Sequence, residues 1–318
     1  MQTRTADYNS KRKIVLILLC YLTVYIVWGS TYLFIKIAVD SIHPFVVLAF
    51  RFVFGGILLL GIARARGRIR TFPGIREILG SVLLGGLLLL GGNGLVTISE
   101  MQTDSSYVAL IVAAAPVFVA FFDRVLFRKK ITFIKLLGVL VGFAGIVLLF
   151  WTGQSIADTF SLPVILACAG VIIFSFGMSL RHKLPAPHDS FVNTGIQMLF
   201  AGGVALTASI ISQQSIPEIL AAATLPSLLS LLFLAVVGTL AFAAFNFLLH
   251  EEPSLRVSSY ALVNPVIASV LGIALAGDKP VQFFFVSLPL VVAGIAFMLY
   301  GDRLVQLVRT RFFSGNEE

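Results

Sequence analysis

Apolar residues in this chain come in long unbroken runs, divided by short polar or charged breaks. The runs lie at roughly 14–38, 44–63, 78–98, 105–126, 131–151, 161–181, 190–212, 226–250, 255–276 and 281–300. Each is close to the ~20 apolar residues that cross a bilayer core. Within lipid every backbone amide needs an internal partner, so each run is predicted to be a helix. A membrane barrel would need short alternating strands, and these runs do not alternate. The pattern therefore predicts an all-α membrane protein with ten transmembrane helices. Residues 1–13 read as a polar, basic tail and 301–318 as a second short tail. The first run is too long for a signal-peptide core and no small-x-small cleavage pattern follows it, so it is expected to be a retained span.

Composition points the same way. Hydrophobic residues make up 58% of the 318 and charged ones 12%, with mean hydropathy +1.00; a soluble domain averages about 25% charged. So little polar surface cannot coat a water-soluble globule. The net charge of +8 does not point to nucleic acid, because the charges punctuate the apolar runs and form no basic domain. The clearest breaks are Arg64–Pro73, Arg128–Lys130, Leu184–His188 and Gly277–Pro280. Cys20 and Cys168 lie inside apolar runs and read as small buried residues, with no disulfide framework or metal pair.

Lys and Arg set the orientation. With the N-terminus inside, only Lys36 and Lys279 of the 23 basic residues fall outside, and Arg51 falls within a span. Both termini are then cytoplasmic. The weakest connection is the eighth to the ninth run, where Glu251 and Glu252 outnumber Arg256.

The chain also repeats itself. The stretch Ser105–Val117 aligns with Ser254–Val266, placing Pro116 on Pro265; the same shift places Gly145 on Gly294 and Lys130 on Lys279. Five helices per half is an odd number, so the second half (161–300) must enter the membrane inverted relative to the first (14–151). Inverted repeats are a common transporter architecture, with the site near the midplane between them. Arg124, Arg128 and Lys129 align with Ile273, Gly277 and Asp278, so basic charge is missing from the copy expected outside.

These features resemble the drug/metabolite transporter superfamily, in its EamA-type ten-helix exporters. The first run carries Trp28-Gly29-Ser30 leading to Lys36, the second Arg51-Phe52, and the fourth and ninth a central Pro116 and Pro265. The fifth and tenth end in Gly138, Gly142, Gly145 and Ala293-Gly294. The family's Gly-Glu after the fourth and ninth helices is replaced by Arg128-Lys129 and Gly277-Asp278, so any role of the first Glu is absent here. The resemblance covers nearly the whole chain. It implies an alternating-access transporter in the cell membrane that exports or exchanges amino acids or similar metabolites. Its cavity would be lined by helices one, two, three, six, seven and eight, with contributions from four and nine. Transport of phosphorylated or nucleotide-linked sugars on the same fold is the alternative, although such solutes should demand more cavity cations than Arg51 and Lys36 supply.

A transport site needs polar groups facing a wet cavity, since polar groups facing lipid are costly. Arg51 stays charged at mid-depth and reads as the partner of a solute carboxylate, as a structural cap of helix carbonyls, or as a snorkelling side chain. Lys36, nearer the surface, reads as snorkelling. The intramembrane amides Asn93, Asn193, Gln197, Asn246 and Asn264 are cavity candidates or interhelical glue; Asn264 beside Pro265 stands out because proline frees a carbonyl in the preceding turn. Trp28, Tyr32, Tyr107 and Tyr260 are candidate lining, with interface anchoring the rival for Tyr32 and Tyr107. Pro116 and Pro265 are candidate gating or helix-breaking positions. Gly91–Gly94 mimics a phosphate loop only superficially, having no strand before it. Gly138 and Gly142 are expected to permit close packing between helices or between the protomers of a homodimer.

No Asp or Glu falls mid-span, so coupling by exchange or passive gradient is expected, or through a rim group such as Asp104, Asp123 or His250. A membrane enzyme is the reading from another class. Against it, His43, His182, His188 and His250 lie in separate breaks without metal-ligand spacing, and no nucleophile elbow is present. Neither metal nor cofactor is expected; the partners are a small solute and the lipid bilayer.

Overall fold

The computed structural model describes residues 2–69, 72–102, 105–149, 161–213, 215–271 and 283–313. The elements are α1 (Gln2–Ser41), α2 (Pro44–Ala65), α3 (Ile75–Ser99), α4 (Ser105–Val112), α5 (Ala115–Val125), α6 (Phe133–Leu149), α7 (Leu162–Leu180) and α8 (Ser190–Ile211). They continue with α9 (Ile216–Ala222), α10 (Leu225–Glu251), α11 (Ser254–Val257), α12 (Tyr260–Leu271) and α13 (Phe284–Phe313). All regular structure among the described residues is helical.

Among the described residues, eight helical stretches are long and apolar enough to cross a bilayer; α4 and α5 together supply one of them, Val108–Val125. The fifth and ninth predicted spans are shorter. α6 is 17 residues long, and α12 is 12 residues long, ending where the described residues end. The first repeat's predicted end at 151, and Asp104, Gly277, Asp278 and Lys279, lie outside the described residues. Helix also extends beyond the apolar runs. α1 begins at Gln2 and α13 continues to Phe313, because once lipid-buried turns nucleate a helix, each polar residue at its end adds one more backbone bond.

Local signals start the helices where the breaks predict. Pro44, Pro163 and Pro226 stand in first turns, where the missing N–H has no partner to lose. Asp189 Oδ1 caps α8 by accepting from Phe191 N at 2.8 Å and Val192 N at 3.1 Å. His43 Nδ1 accepts from Phe45 N at the start of α2, and burial pushes its imidazole below the usual range.

The two prolines expected at mid-helix differ. Pro265 lies inside α12. Pro116 instead opens α5 after a turn at Ala113-Ala114; a residue without an N–H fits a first turn better than a helix interior. Two helices widen to π geometry, α3 over Gly86–Gly94 and α10 over Leu234–Gly238. The sequence repeat places the second segment on Gly85–Leu89, overlapping the first. Such widened turns often mark functional sites.

Between lipid-embedded helices there is little hydrophobic drive, so close van der Waals packing decides which helices meet. α2 packs along α8, α6 along α13, α1 against α12 and α10, and α7 against α3 and α5. Gly294 shows how close the contact is: a Cβ there would lie 2.5 Å from Gly142 Cα and 2.7 Å from Gly138 O. The glycine pattern therefore serves a contact within the chain. Cys20 is buried as expected, but Cys168 is exposed on α7. A bundle with lipid as solvent turns apolar side chains outward as readily as inward.

The main apolar core surrounds Trp28, Phe174, Phe242 and Phe245. A smaller cluster of Ile35, Ile42, Val46 and Leu231 closes one end of α1, α2 and α10. Near the opposite end, ion pairs join sequence-distant segments: Lys13 with Glu251, Arg68 with Asp189, and Lys135 with Asp302.

Candidate functional site

Where α1, α2, α3, α7 and α12 converge they leave a cavity with about 570 Å³ of atom-free space, counting its opening to solvent. Trp28, Tyr32, Arg51, Asn93, Tyr260 and Asn264 stand on its wall, with Phe174 and Val96. Ala115, next to Pro116, also lines it, opposite in the repeat to Asn264 beside Pro265.

Arg51 is only 2% exposed. Its Nη1 donates to Asn93 Oδ1 at 3.2 Å, its Cζ lies 5.3 Å from the Phe52 ring centroid, and its Nε has no partner. A guanidinium presents five N–H donors in a fixed fork. One side-chain hydrogen bond leaves most of that fork unused among the described residues, in a place bulk water reaches poorly. The widened turn of α10 makes room for the fork, since Gly238 approaches Nη2 with no side chain. Such a group suits a planar anion, which it grips through two parallel bonds.

Much of the remaining wall is aromatic. Trp28 lies 4.7 Å from Phe245, 4.8 Å from Tyr260 and 6.2 Å from Phe174, centroid to centroid. Several of these contacts are edge-to-face, the arrangement ring quadrupoles favour. Trp28 Nε1 is buried without a partner. The Oδ1 of Asn264 is likewise unpartnered. Two residues of the cavity wall thus each keep a buried polar atom without a partner. Carboxylate-matching donors and π faces on one wall suit a solute with an anionic head and an apolar or cationic body.

Gln197 and Asn246, expected at the cavity, are not on its wall. Gln197 Nε2 donates to Asn193 Oδ1 at 3.0 Å and Asn246 Oδ1 at 3.2 Å, and Ser81 Oγ donates to Asn193 Oδ1 at 2.9 Å. This separate buried network ties α3, α8 and α10 together. Amides inside apolar runs bond to each other wherever helix rotation brings them face to face, since no water competes.

Lys36 turns inward instead of snorkelling, donating from Nζ to the Glu100 carbonyl oxygen at 3.0 Å. Glu100 is the residue that sequence reasoning missed. It caps the end of α3, where a carboxylate reads as rim, yet it is 0% exposed. Asn93, Val96 and Glu100 follow at i, i+3 and i+7, the spacing of one helix face; that spacing was the signal available. Among the rim groups, Asp123 is buried and paired with Lys129 at 2.8 Å. His250 faces Glu251 at 3.2 Å, and its ring lies 4.5 Å from that of His188. The fold thus joins two histidines from separate breaks, but no group of three metal-ligating side chains occurs among the described residues. The Gly91–Gly94 run is interior to α3, and the Tyr107 side chain lies outside the described residues.

Comparison with known proteins places this geometry. The sequence matches the EamA-like transporter family over residues 15–151 and 161–300. The chain is 34% identical over 282 residues to the uncharacterised inner membrane transporter YedA of Escherichia coli K12, covering 88% of this chain and 89% of that protein. It is 28% identical over 305 residues to an S-adenosylmethionine/S-adenosylhomocysteine transporter of Chlamydia trachomatis serovar L2, covering 91% of this chain and 88% of that one. A solved crystal structure superposes with TM-score 0.68 over 89% of this chain and 96% of its own, at 18% identity; that likeness concerns the fold alone.

Proposed function

Because this chain belongs to the EamA-like transporter family, we propose that it is an alternating-access carrier exporting or exchanging small metabolites of the amino-acid type. It is a multi-pass membrane protein and its characterised relatives are transporters. The observation that carries the substrate class is the make-up of the cavity wall: Arg51, with unused donors and bonded to Asn93, shares it with the Trp28, Phe174 and Tyr260 rings. A carboxylate fits the guanidinium; an ammonium, a sulfonium or an apolar side chain fits the rings. S-adenosylmethionine, named for a relative, carries an amino-acid head and a sulfonium, in keeping with that division. Sugar phosphates are disfavoured, because Arg51 is the one cation on the described wall and Lys36 is committed to Glu100.

The finer architecture in this reading is ten spans in two inverted five-helix halves, with α6 and α12 as the fifth and ninth and both termini cytoplasmic. The helix pairing supports it. Exchanging the halves maps the α2–α8 and α6–α13 contacts onto themselves, and swaps α1–α12 with α5–α7 and α3–α7 with α1–α10. The two widened turns at corresponding positions support it as well, since interrupted helices in matching places of the two halves point to the site.

Counterflow into liposomes holding the purified full-length protein tests the substrate class. The expected result is exchange of members of a radiolabelled L-amino-acid mixture and none of labelled glucose 6-phosphate. Exchange of the sugar phosphate alone would overturn the reading.

A further inference from the structure

The carboxyl of Glu100 is fully buried, and neither Oε1 nor Oε2 has a hydrogen-bond partner among the described residues. The charged groups around it are Lys36 on α1, whose Nζ bonds the Glu100 carbonyl oxygen at 3.0 Å, and Arg51 on α2, both of which favour the anion; the titratable Tyr32 on α1 and Tyr260 on α12, with the neutral Asn264 on α12, line the same cavity as Arg51. Val96, one turn earlier on the same face of α3, lines the cavity, and Asn93 on that face holds Arg51. Glu100 therefore lies on the same face of α3 as Asn93, the partner of Arg51, with neither carboxyl oxygen bonded to the guanidinium.

A carboxyl so placed is governed by two opposed effects: burial favours the neutral acid, and nearby cations favour the anion. With Arg51 and Lys36 both charged and Glu100 ionised, the cluster carries one net positive charge. A solute carboxylate on Arg51 consumes one of those cations and adds a negative charge close to Glu100. Like charges in a poorly hydrated site repel strongly. The repulsion is removed when a proton from water adds to a Glu100 oxygen, giving a neutral acid and restoring the original net charge.

We propose that Glu100 is a proton-binding site linked to the occupancy of Arg51, so that a solute carboxylate and a proton are bound together. The linkage is reciprocal: protonation of Glu100 strengthens carboxylate binding by the same factor that the carboxylate strengthens protonation. Transport of an anionic head then carries a proton with it, through a helix-end carboxyl other than the rim groups that the sequence offered beside exchange or passive coupling. The proposal rests on the reading of Arg51 as an anion site, but its test needs no solute.

Full-length protein in liposomes is titrated from about pH 4 to 9 while the infrared carbonyl stretch of buried protonated carboxyls is followed. The probe is the hydrogen ion alone, and Arg51→Gln stands in for neutralisation of Arg51. The expected result is a band that titrates in the wild type, is missing in Glu100→Gln, and has its midpoint moved upward by about 1 pH unit or more in Arg51→Gln, the effect of losing a close opposite charge. Glu100→Asp keeps an acid at the position and should move the band frequency without abolishing it, which identifies the group even where the amide variant does not fold. A band unaffected by both Glu100 variants, or a midpoint that stays in place in Arg51→Gln, overturns the proposal. An intact Glu100 titration alongside absent amino-acid counterflow would instead remove the substrate reading and leave the proton site standing.

Discussion

Replacing Arg51 should separate binding from folding more sharply than any other change in this protein. The guanidinium is 2% exposed and makes one hydrogen bond to a side chain, at 3.2 Å to Asn93 Oδ1. Losing that bond costs the fold little, because Asn93 faces a cavity where water or solute can replace it. The cost falls on the solute. A hydrogen bond to a charged group contributes about 1.5–3 kcal/mol, and each 1.4 kcal/mol is about tenfold in affinity. Arg51→Gln, which keeps much of the volume and some donors, should therefore raise the half-saturating concentration of a carboxylate-bearing solute by about 10- to 100-fold. Arg51→Lys should lie between, since an ammonium keeps the charge and loses the fork. Counterflow in liposomes at several solute concentrations measures this, with melting in detergent as the folding control. Unchanged half-saturation with a normal melting temperature would refute the assignment of Arg51 to the anion.

Three further changes probe the scaffold and the orientation. Gly294→Ala places a Cβ 2.5 Å from Gly142 Cα, against backbone that cannot rotate aside; it should destabilise by about 1–3 kcal/mol, as overpacking does, and an unchanged melting curve would contradict the α6–α13 contact. Gln197→Ala breaks two interhelical bonds, both with Asn246 of α10, each worth about 0.6 kcal/mol in lipid; melting should fall while half-saturation stays constant, and the opposite pattern would return Gln197 to the binding site. Reporter tags at the two ends should both be shielded in intact cells and both be reached after permeabilisation; a tag reached on one end only would contradict an even number of spans.

How much of this was legible in the sequence depended on whether neighbours mattered. Arg51 was legible because one charge inside an apolar run has few explanations. Asn264 was legible because Pro265 beside it disturbs the backbone locally. Trp28 and Tyr260 were legible as aromatic rings inside apolar runs, able to pack against a solute, and all four stand on one cavity wall. Gln197 and Asn246 were misplaced because an amide looks alike whether it faces a cavity or another amide; only the rotation of α8 against α10 decides, and that is set by packing. Glu100 was passed over because its burial is imposed by other segments, with Lys36 of α1 reaching across to the end of α3. The pairing of His188 with His250 is likewise a product of tertiary contact. Helix lengths were legible only to within a few turns: lipid sets a minimum for a span, but no residue type marked the polar extensions of α1 and α13.

The central claim is that the cavity beside Arg51 opens alternately to the two sides of the membrane. Its most direct test is a single reporter cysteine, Val96→Cys, on the cavity wall, in a chain whose Cys20 and Cys168 are replaced by serine. A membrane-impermeant thiol reagent is applied to right-side-out and, separately, to inside-out vesicles. Labelling from either side, with a single α3 position reached through both mouths, is the predicted outcome. Labelling confined to one orientation, however long the exposure, would contradict it.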